Sequence, residues 1–382
     1  MNDFNDFSNL SVVHITDNMS IKAGGVPAVI RQLVANSSLF DVNSSLLYAI
    51  GDASDLKDQA LLFKYQPSGI FKSWQYSPII TSRFRDCIDS VHSSYPIVHI
   101  HGIWTAPSTI SSFLASSSNI PFIFSPHGEL EPWLWNGQGI LKRFKKIAFW
   151  KFLGKLAYSK ASLIHAITPL ERENLRKLFP SNDIEIIPNS IFIRNQAPPS
   201  CDLRRNFLFI GRIDPKKGVD TLIKAFSVAK LDREWQIDIL GPCLSPTYLA
   251  SLKKLVSSLS LESKVFFHGS VFGPMKQEFL DTSWVLAVPS HSEAVGLVNL
   301  ESADYYLPSL TTYQTGLYDW RSGGGLLSND SVEEFALLLI QASRWSLEER
   351  ISRGIASRSL VQSRYTWDVN LPKWQSLYAS LL

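Results

Sequence analysis

Cysteine is almost missing from this chain. Cys87, Cys201 and Cys243 are the only ones in 382 residues, far apart and without the spacing of a metal site. Their odd number fits a reducing compartment better than a disulfide framework. An excess of charge is lacking too. Against 34 acidic residues stand 37 basic ones, a net charge of +3 that gives no case for nucleic acid, and no recognition module for it is present. No apolar run reaches the roughly 18 residues that a membrane span requires. The opening MNDFNDFSNL is acidic and polar, unlike a signal peptide, so the chain is expected in the cytoplasm. There is no G-x-G-x-x-G, which counts against a dinucleotide dehydrogenase, and no D-x-D to hold a metal ion. No repeat of about 20–50 residues occurs.

What is present is globular, with 45% apolar and 19% charged residues. The length exceeds that at which one core keeps growing, so two domains are expected. Strand-like segments at 11–16, 46–50, 97–101 and 121–124 alternate with helical or irregular connections. Segments at 206–210, 235–240, 265–269 and 285–288 repeat the pattern in the second half. This alternation predicts an α/β fold of doubly wound parallel sheets. The stretch 194–202, RNQAPPSCD, is polar and unperiodic and reads as a linker. The expected division is 1–195, 203–364 and a terminal helix over 365–382.

The stretch 284–301, WVLAVPSHSEAVGLVNLE, carries a buried strand into a polar loop and then a helix. That geometry puts Glu293 and Gly296 at the carboxyl edge of a sheet and Glu301 on the first turns of the helix. Backbone N–H groups of Ala294 to Leu297 are expected to face an anion there. An ordinary strand–loop–helix with two solvated glutamates has the same pattern. Likewise, NFLFI runs into GRIDPKKGV, where Arg212 and Lys217 flank a glycine-bounded loop. Two such cations can clamp a diphosphate, or can simply be solvated.

In the first half, Gly24 and Gly25 sit between a strand and a helix that Pro27 starts well, where a ligand can approach backbone. His127 follows a strand between Pro126 and Gly128 and is expected to present its imidazole at the sheet edge rather than bury it. The segment 140–161 carries Lys142, Arg143, Lys145, Lys146, Lys151, Lys155 and Lys160 without one acid. It reads either as a surface helix whose apolar side, including Phe144 and Ile147, packs on the sheet, or as an interfacial helix on anionic lipid.

Together these motifs resemble the retaining glycosyltransferases of family four, the group 1 glycosyl transferases. SEAVGLVNLE is similar to their E-x7-E motif. GRIDPKKGVDTLIKAF is similar to their G-R-x-x-x-x-K-G-x-x-x-L-I-x-A-F, and SPHGELEPWLW to a segment of polysaccharide-building, O-antigen-type members. The resemblance implies the GT-B fold, two Rossmann-like doubly wound parallel-sheet domains facing across a cleft, with a C-terminal helix crossing back to the first. It implies catalytic roles for Glu293, beside the donor sugar, and for His127. It also implies donor binding by Arg212, Lys217, Gly296, Leu297, Glu301, Gly24 and Gly25, and acceptor-side positions for His101 and Trp133. Ala294-Val295 stands where Gly-Phe is usual, a departure that bears on sugar selection.

The activity so implied is transfer of a sugar from a nucleotide-sugar donor to a hydroxyl of a saccharide or polyprenyl-linked saccharide, with retention of configuration. Its setting would be cell-surface polysaccharide, lipopolysaccharide or O-antigen synthesis. Arg212, Lys217 and backbone donors would neutralise the leaving diphosphate, so no cofactor and no metal is expected. The basic segment 140–160 offers a peripheral contact with an anionic membrane at its inner face. Two alternatives stay open: a hydrolase or phosphorylase on the same fold, and a non-catalytic nucleotide-sugar-binding partner of another transferase. Donor binding without transfer or hydrolysis would mark the second.

Overall fold

A computed structural model describes residues 10–20, 25–40, 42–91, 95–132, 140–198 and 203–382. Gly24 and Trp133 lie outside the described residues. The chain forms two compact units, Met1–Asn189 with Asn370–Leu382, and Ser190–Val369.

The first unit is built on β1 (Leu10–Ile15), β2 (Val42–Tyr48), β3 (Ala60–Lys64), β4 (Tyr95–His101), β5 (Phe122–Ser125), β6 (Leu163–Ala166) and β7 (Ile184–Ile186). They lie in the order β3-β2-β1-β4-β5-β6-β7, every neighbouring pair parallel. The second unit holds β8 (Arg204–Ile210), β9 (Gln236–Leu240), β10 (Val265–Gly269), β11 (Ser283–Val288), β12 (Ser309–Thr312) and β13 (Leu326–Ser328). Their order is β10-β9-β8-β11-β12-β13, again all parallel. Parallel sheets need cover on both faces, and the central strands LSVVHI and SWVLAV are buried along their whole length. In the second unit Phe207, Leu222, Phe226, Val285, Phe335 and Leu339 pack into one core between the sheet and its helices. Each such side chain contributes about 1.5–3 kcal/mol on burial.

Strand order reverses between β1 and β4 in the first sheet and between β8 and β11 in the second. Outside the carboxyl ends of such strand pairs the loops part and leave a crevice for a ligand. Both stretches singled out in the second half of the sequence, 211–218 and 289–296, leave β8 and β11.

The start of the expected linker is fastened to the second unit. Ile191 N–H donates to Tyr365 O at 2.9 Å, and Arg194 Nε to Asp304 Oδ2 at 2.7 Å. The helix Trp367–Ala379 begins in the second unit and ends in the first, where Trp374 and Tyr378 are buried.

The basic segment does not lay its apolar side on the sheet. It forms a helix, Ile140–Phe149, a π-turn, Trp150–Gly154, and a last helical turn, Lys155–Tyr158. The widened turn brings Ala157 and Tyr158 inward. Phe144, Phe152 and Leu156 stay 66%, 68% and 59% exposed, and Ile147 41%. Among the described residues no helix is long and apolar enough to cross a membrane.

Candidate active site

In the second unit the loop after β8 is shaped by its own short bonds. Asp214 Oδ1 accepts from Lys216 N–H at 3.0 Å and opens a single 3-10 turn, Pro215–Lys217. Gly218 closes the turn at φ +68°, where a Cβ would lie 2.0 Å from Pro289 O at the end of β11. Only glycine permits that approach. His291 N–H then donates to Lys216 O at 2.9 Å, so the two loops are joined by backbone.

This joint brings Lys217 Nζ into an ion pair with Glu293 Oε1, the same oxygen that accepts from Ser290 Oγ at 3.0 Å. Glu293 N–H donates to Gln314 O at 2.9 Å. The side chains of Lys217 and Glu293 keep only 22% and 11% of their surface exposed, so the pair is shielded more than a surface pair. Arg212, on the same loop as Lys217, is exposed and has no side-chain bond among the described residues. Beyond the loop, Glu301 lies on the helix Leu297–Asp304 and its Oε2 accepts from Lys276 Nζ at 2.8 Å. The N–H of Leu297 donates to Val295 O at 2.9 Å, so it is not among the donors left for an anion, contrary to expectation. The turn that precedes the helix claims it first. Ala294, Val295 and Gly296 keep their N–H groups without a backbone acceptor among the described residues.

In the first unit the strand ends at the switch point carry histidines. His14 on β1 pairs in register with His99 on β4, and His101 on β4 pairs with Ser125 on β5. Alternation along β4 puts His99 and His101 on one face. His165 on β6 completes a buried polar layer with them, against Trp374 and Tyr378. His14 Nδ1 and His101 Nε2 lie 3.0 Å apart, and His101 Nδ1 and His127 Nε2 2.9 Å apart. His99 bonds Tyr378 Oη at 2.9 Å and Ser125 Oγ at 2.7 Å. Ser125 Oγ also lies 2.9 Å from His165 Nδ1, and His165 Nε2 donates to Ile187 O at 2.8 Å. Burial lowers His14 and His127 to about 3 and His165 to about 4, and holds His99 and His101 well below the ordinary value. All five are therefore neutral near pH 7.

Glu171 holds the loop that carries His127. Its carboxylate accepts from Gly128 N–H at 2.6 Å and from Ile167 N–H at 2.7 Å, while burial raises it to about 7. Thr168 Oγ1 caps the following helix by accepting from Glu171 N–H at 3.1 Å. The nitrogens of His14, His99 and His101 lie within 4.8 Å of one another, close enough for a metal ion. Both nitrogens of His99 and both of His101 already have hydrogen-bond partners.

Against this geometry stand the comparisons with known proteins. Residues 23–194 match the family model Glycosyltransferase Family 4, and residues 196–343 match Glycosyl transferases group 1. The chain carries both glycosyltransferase domains. D-inositol 3-phosphate glycosyltransferase of Arthrobacter sp. (strain FB24) is 34% identical over 125 residues, 31% of this chain and 30% of that one. The match thus spans about a third of that curated relative. Sucrose-phosphate synthase from Thermosynechococcus elongatus superposes with a TM-score of 0.74 at 18% identity, over 97% of this chain and 99% of that one. The HepE protein of Anabaena, in complex with UDP and glucose, gives 0.71 at 16% identity, over 97% and 100%. The fold is GT-B.

Within this GT-B chain the expected residues fall into two sets. Lys217, Glu293, Gly296 and Leu297 are brought together on the joined loops of the second unit, with Arg212 beside them in sequence and Glu301 on the next helix. Gly25 is the exposed first residue of the helix Gly25–Ala35. His127 departs from expectation. At φ +51° its backbone is left-handed, and the imidazole turns onto His101 instead of standing free, with 9% of its surface exposed. His101 is fully buried between His14 and His127, so it lines no open surface by itself. His14, His99 and His165 carry no expected role in the sequence. Their signal is the recurrence of histidine in VVHIT, IVHIHG and SLIHAI, each at a position that alternates with apolar residues.

Proposed function

We propose that this chain transfers a sugar from a nucleotide-sugar donor to an acceptor hydroxyl, with retention of configuration and without a metal ion. The observation that carries the reading is the shielded Lys217–Glu293 pair, fixed by Ser290 at the carboxyl edge of β11, with the exposed Arg212 on the adjoining loop. A nucleotide-sugar bond breaks when the departing diphosphate and the cationic sugar are both stabilised. Arg212, Lys217 and the N–H groups of Ala294 to Gly296 supply positive charge for the first, and Glu293 supplies negative charge for the second. The acceptor hydroxyl attacks from the face the diphosphate leaves, its proton passes to a phosphate oxygen, and Glu301 holds the ribose hydroxyls. HepE of Anabaena, bound to UDP and glucose, supports a uridine donor.

The acceptor is proposed to be a saccharide on a lipid carrier, in cell-surface polysaccharide synthesis. The exposed Phe144, Phe152 and Leu156 among Arg143, Lys145 and Lys151 support a peripheral seat on an anionic inner-membrane face.

A thermal-shift panel of nucleotide sugars, with and without EDTA, tests the donor reading. A donor at a hundredfold its dissociation constant stabilises the fold by about 2.7 kcal/mol. A shift that survives EDTA, disappears in Arg212→Ala with Lys217→Ala and accompanies sugar transfer is expected. A shift without transfer or hydrolysis would replace the enzyme with a binding partner of another transferase.

A further inference from the structure

The buried layer of the first unit contains two hydrogen-bonded chains that obey different rules. The direction of one is fixed. Ile187 O can only accept, so His165 Nε2 carries the proton and its Nδ1 is bare. Ser125 O–H must then donate to His165 Nδ1 and accept from His99 Nε2–H, and Tyr378 O–H donates to His99 Nδ1.

The other chain has no such anchor. It runs from His14 Nδ1 to His101 Nε2 at 3.0 Å and from His101 Nδ1 to His127 Nε2 at 2.9 Å. Neither His14 Nε2 nor His127 Nδ1 has a hydrogen-bond partner among the described residues. Each link joins Nδ1 of one ring to Nε2 of the next, and each neutral ring has a single proton. Two arrangements therefore satisfy both links: Nδ1–H on all three rings, or Nε2–H on all three. A mixture sets two bare nitrogens, or two N–H groups, face to face inside a buried layer.

We propose that His14 and His101 are positioning residues that act through this shared tautomer, deciding whether His127 offers a ligand a donor or an acceptor at Nδ1. His127 is the ring of the three that keeps the most surface exposed, at the carboxyl edge just after β5. For the ligand, the inference rests on the nucleotide-sugar reading. A phosphate oxygen only accepts, so one that reaches this edge selects the Nδ1–H form in all three rings. Interconversion takes up one proton at one end and releases one at the other, so the net charge of the three rings is the same before and after.

Long-range 1H–15N spectra of the full chain labelled with [15N]histidine, at pH 8, test this, with single His→Gln variants to assign the rings. His14, His101 and His127 are expected to hold their protons on the same-named nitrogen, and His99 and His165 on Nε2. UDP-glucose is expected to enrich the Nδ1–H form at all three rings together. His14→Phe should change the tautomer of His127. A purely structural His14 would lower the melting temperature and leave that tautomer as it was, which would overturn the proposal. So would unlike tautomers among the three rings of the free wild-type chain, a measurement that stands even where the variant does not fold. Stoichiometric Zn2+ whose removal by EDTA moves these resonances would overturn it as well, by making the nitrogens metal ligands. If UDP-glucose is neither bound nor turned over, the transferase reading fails on that ground alone, while the free-chain spectrum still decides the tautomer rule.

Discussion

Lys217 and Glu293 hold each other's charge in a place where neither is fully solvated. Lys217→Ala should lower kcat/KM for sugar transfer about 100–1,000-fold, the loss that follows removal of one preorganised group at a developing charge. Steady-state assays alongside a melting curve would show whether the loss is chemical or structural. Glu293→Gln keeps the shape and removes the charge, and near-normal turnover in that variant would refute an electrostatic role for this carboxylate. Gly218 is a residue of another kind. A methyl group there meets Pro289 O at 2.0 Å in a left-handed backbone, so Gly218→Ala should destabilise the fold by about 2 kcal/mol or more. Urea unfolding would measure it, and a near-neutral result would mean that the two loops can part. These residues were legible because GRIDPKKG and SEAVGLVNLE pack their chemistry into short contiguous runs. The ion pair between them was not legible, because it depends on β8 and β11 being neighbours.

At the scale of elements, the histidine layer shows where sequence reading stops. Alternation in IVHIHG announces two histidines on one face, yet nothing local says that β1, β4, β5 and β6 will lie side by side. His127 misleads for a related reason: a Pro-His-Gly context looks open, but a left-handed backbone at that position turns the ring inward. The helix Trp367–Ala379 closes the layer through Tyr378. Tyr378→Phe would leave His99 Nδ1 buried without a donor and should destabilise by about 1–3 kcal/mol, again by urea unfolding. The basic helix makes the opposite prediction. Phe144→Asp with Phe152→Asp replaces side chains that are 66% and 68% exposed, so melting should be unchanged. Sedimentation with anionic vesicles should weaken by more than about tenfold if these rings enter the lipid. Equal binding by the double variant would leave the helix an ordinary charged surface.

For the whole molecule, the buried imidazoles set a pH limit. Unfolded histidines take up protons below their ordinary 6.5, whereas folded His165 does so only near 4 and His14 and His127 near 3. Their contribution is therefore complete above pH 6.5 and is lost as pH falls towards 4. Glu171 works in the other direction. Raised from 4.5 to about 7, it keeps a proton in the fold that the unfolded chain releases, so it favours the fold as pH falls from 7 to 4.5. Asp17, also raised by burial, has the same sign. Asp281, raised by burial, and His291, raised by its bond to Asp330, share that sign, but the five buried imidazoles outweigh them, so the melting temperature should drop between pH 6.5 and 4.5, and more steeply in Glu171→Gln. A flat profile would mean that the rings are solvated. The two-domain α/β plan was readable from strand–helix alternation, whereas the points at which the units divide were not, since Ile191 is held by Tyr365 and Trp367 and Arg194 by Asp304, all distant in sequence.

That division has a consequence for synthesis on the ribosome. Residues 370–382 belong to the first unit but are translated after the whole of the second. Until they emerge, His99 lacks the hydroxyl of Tyr378, and the polar face of the first sheet waits without its lid. The half made first is the half completed last, so a nascent chain should be most vulnerable to proteolysis in the first unit until its final turn of helix is released.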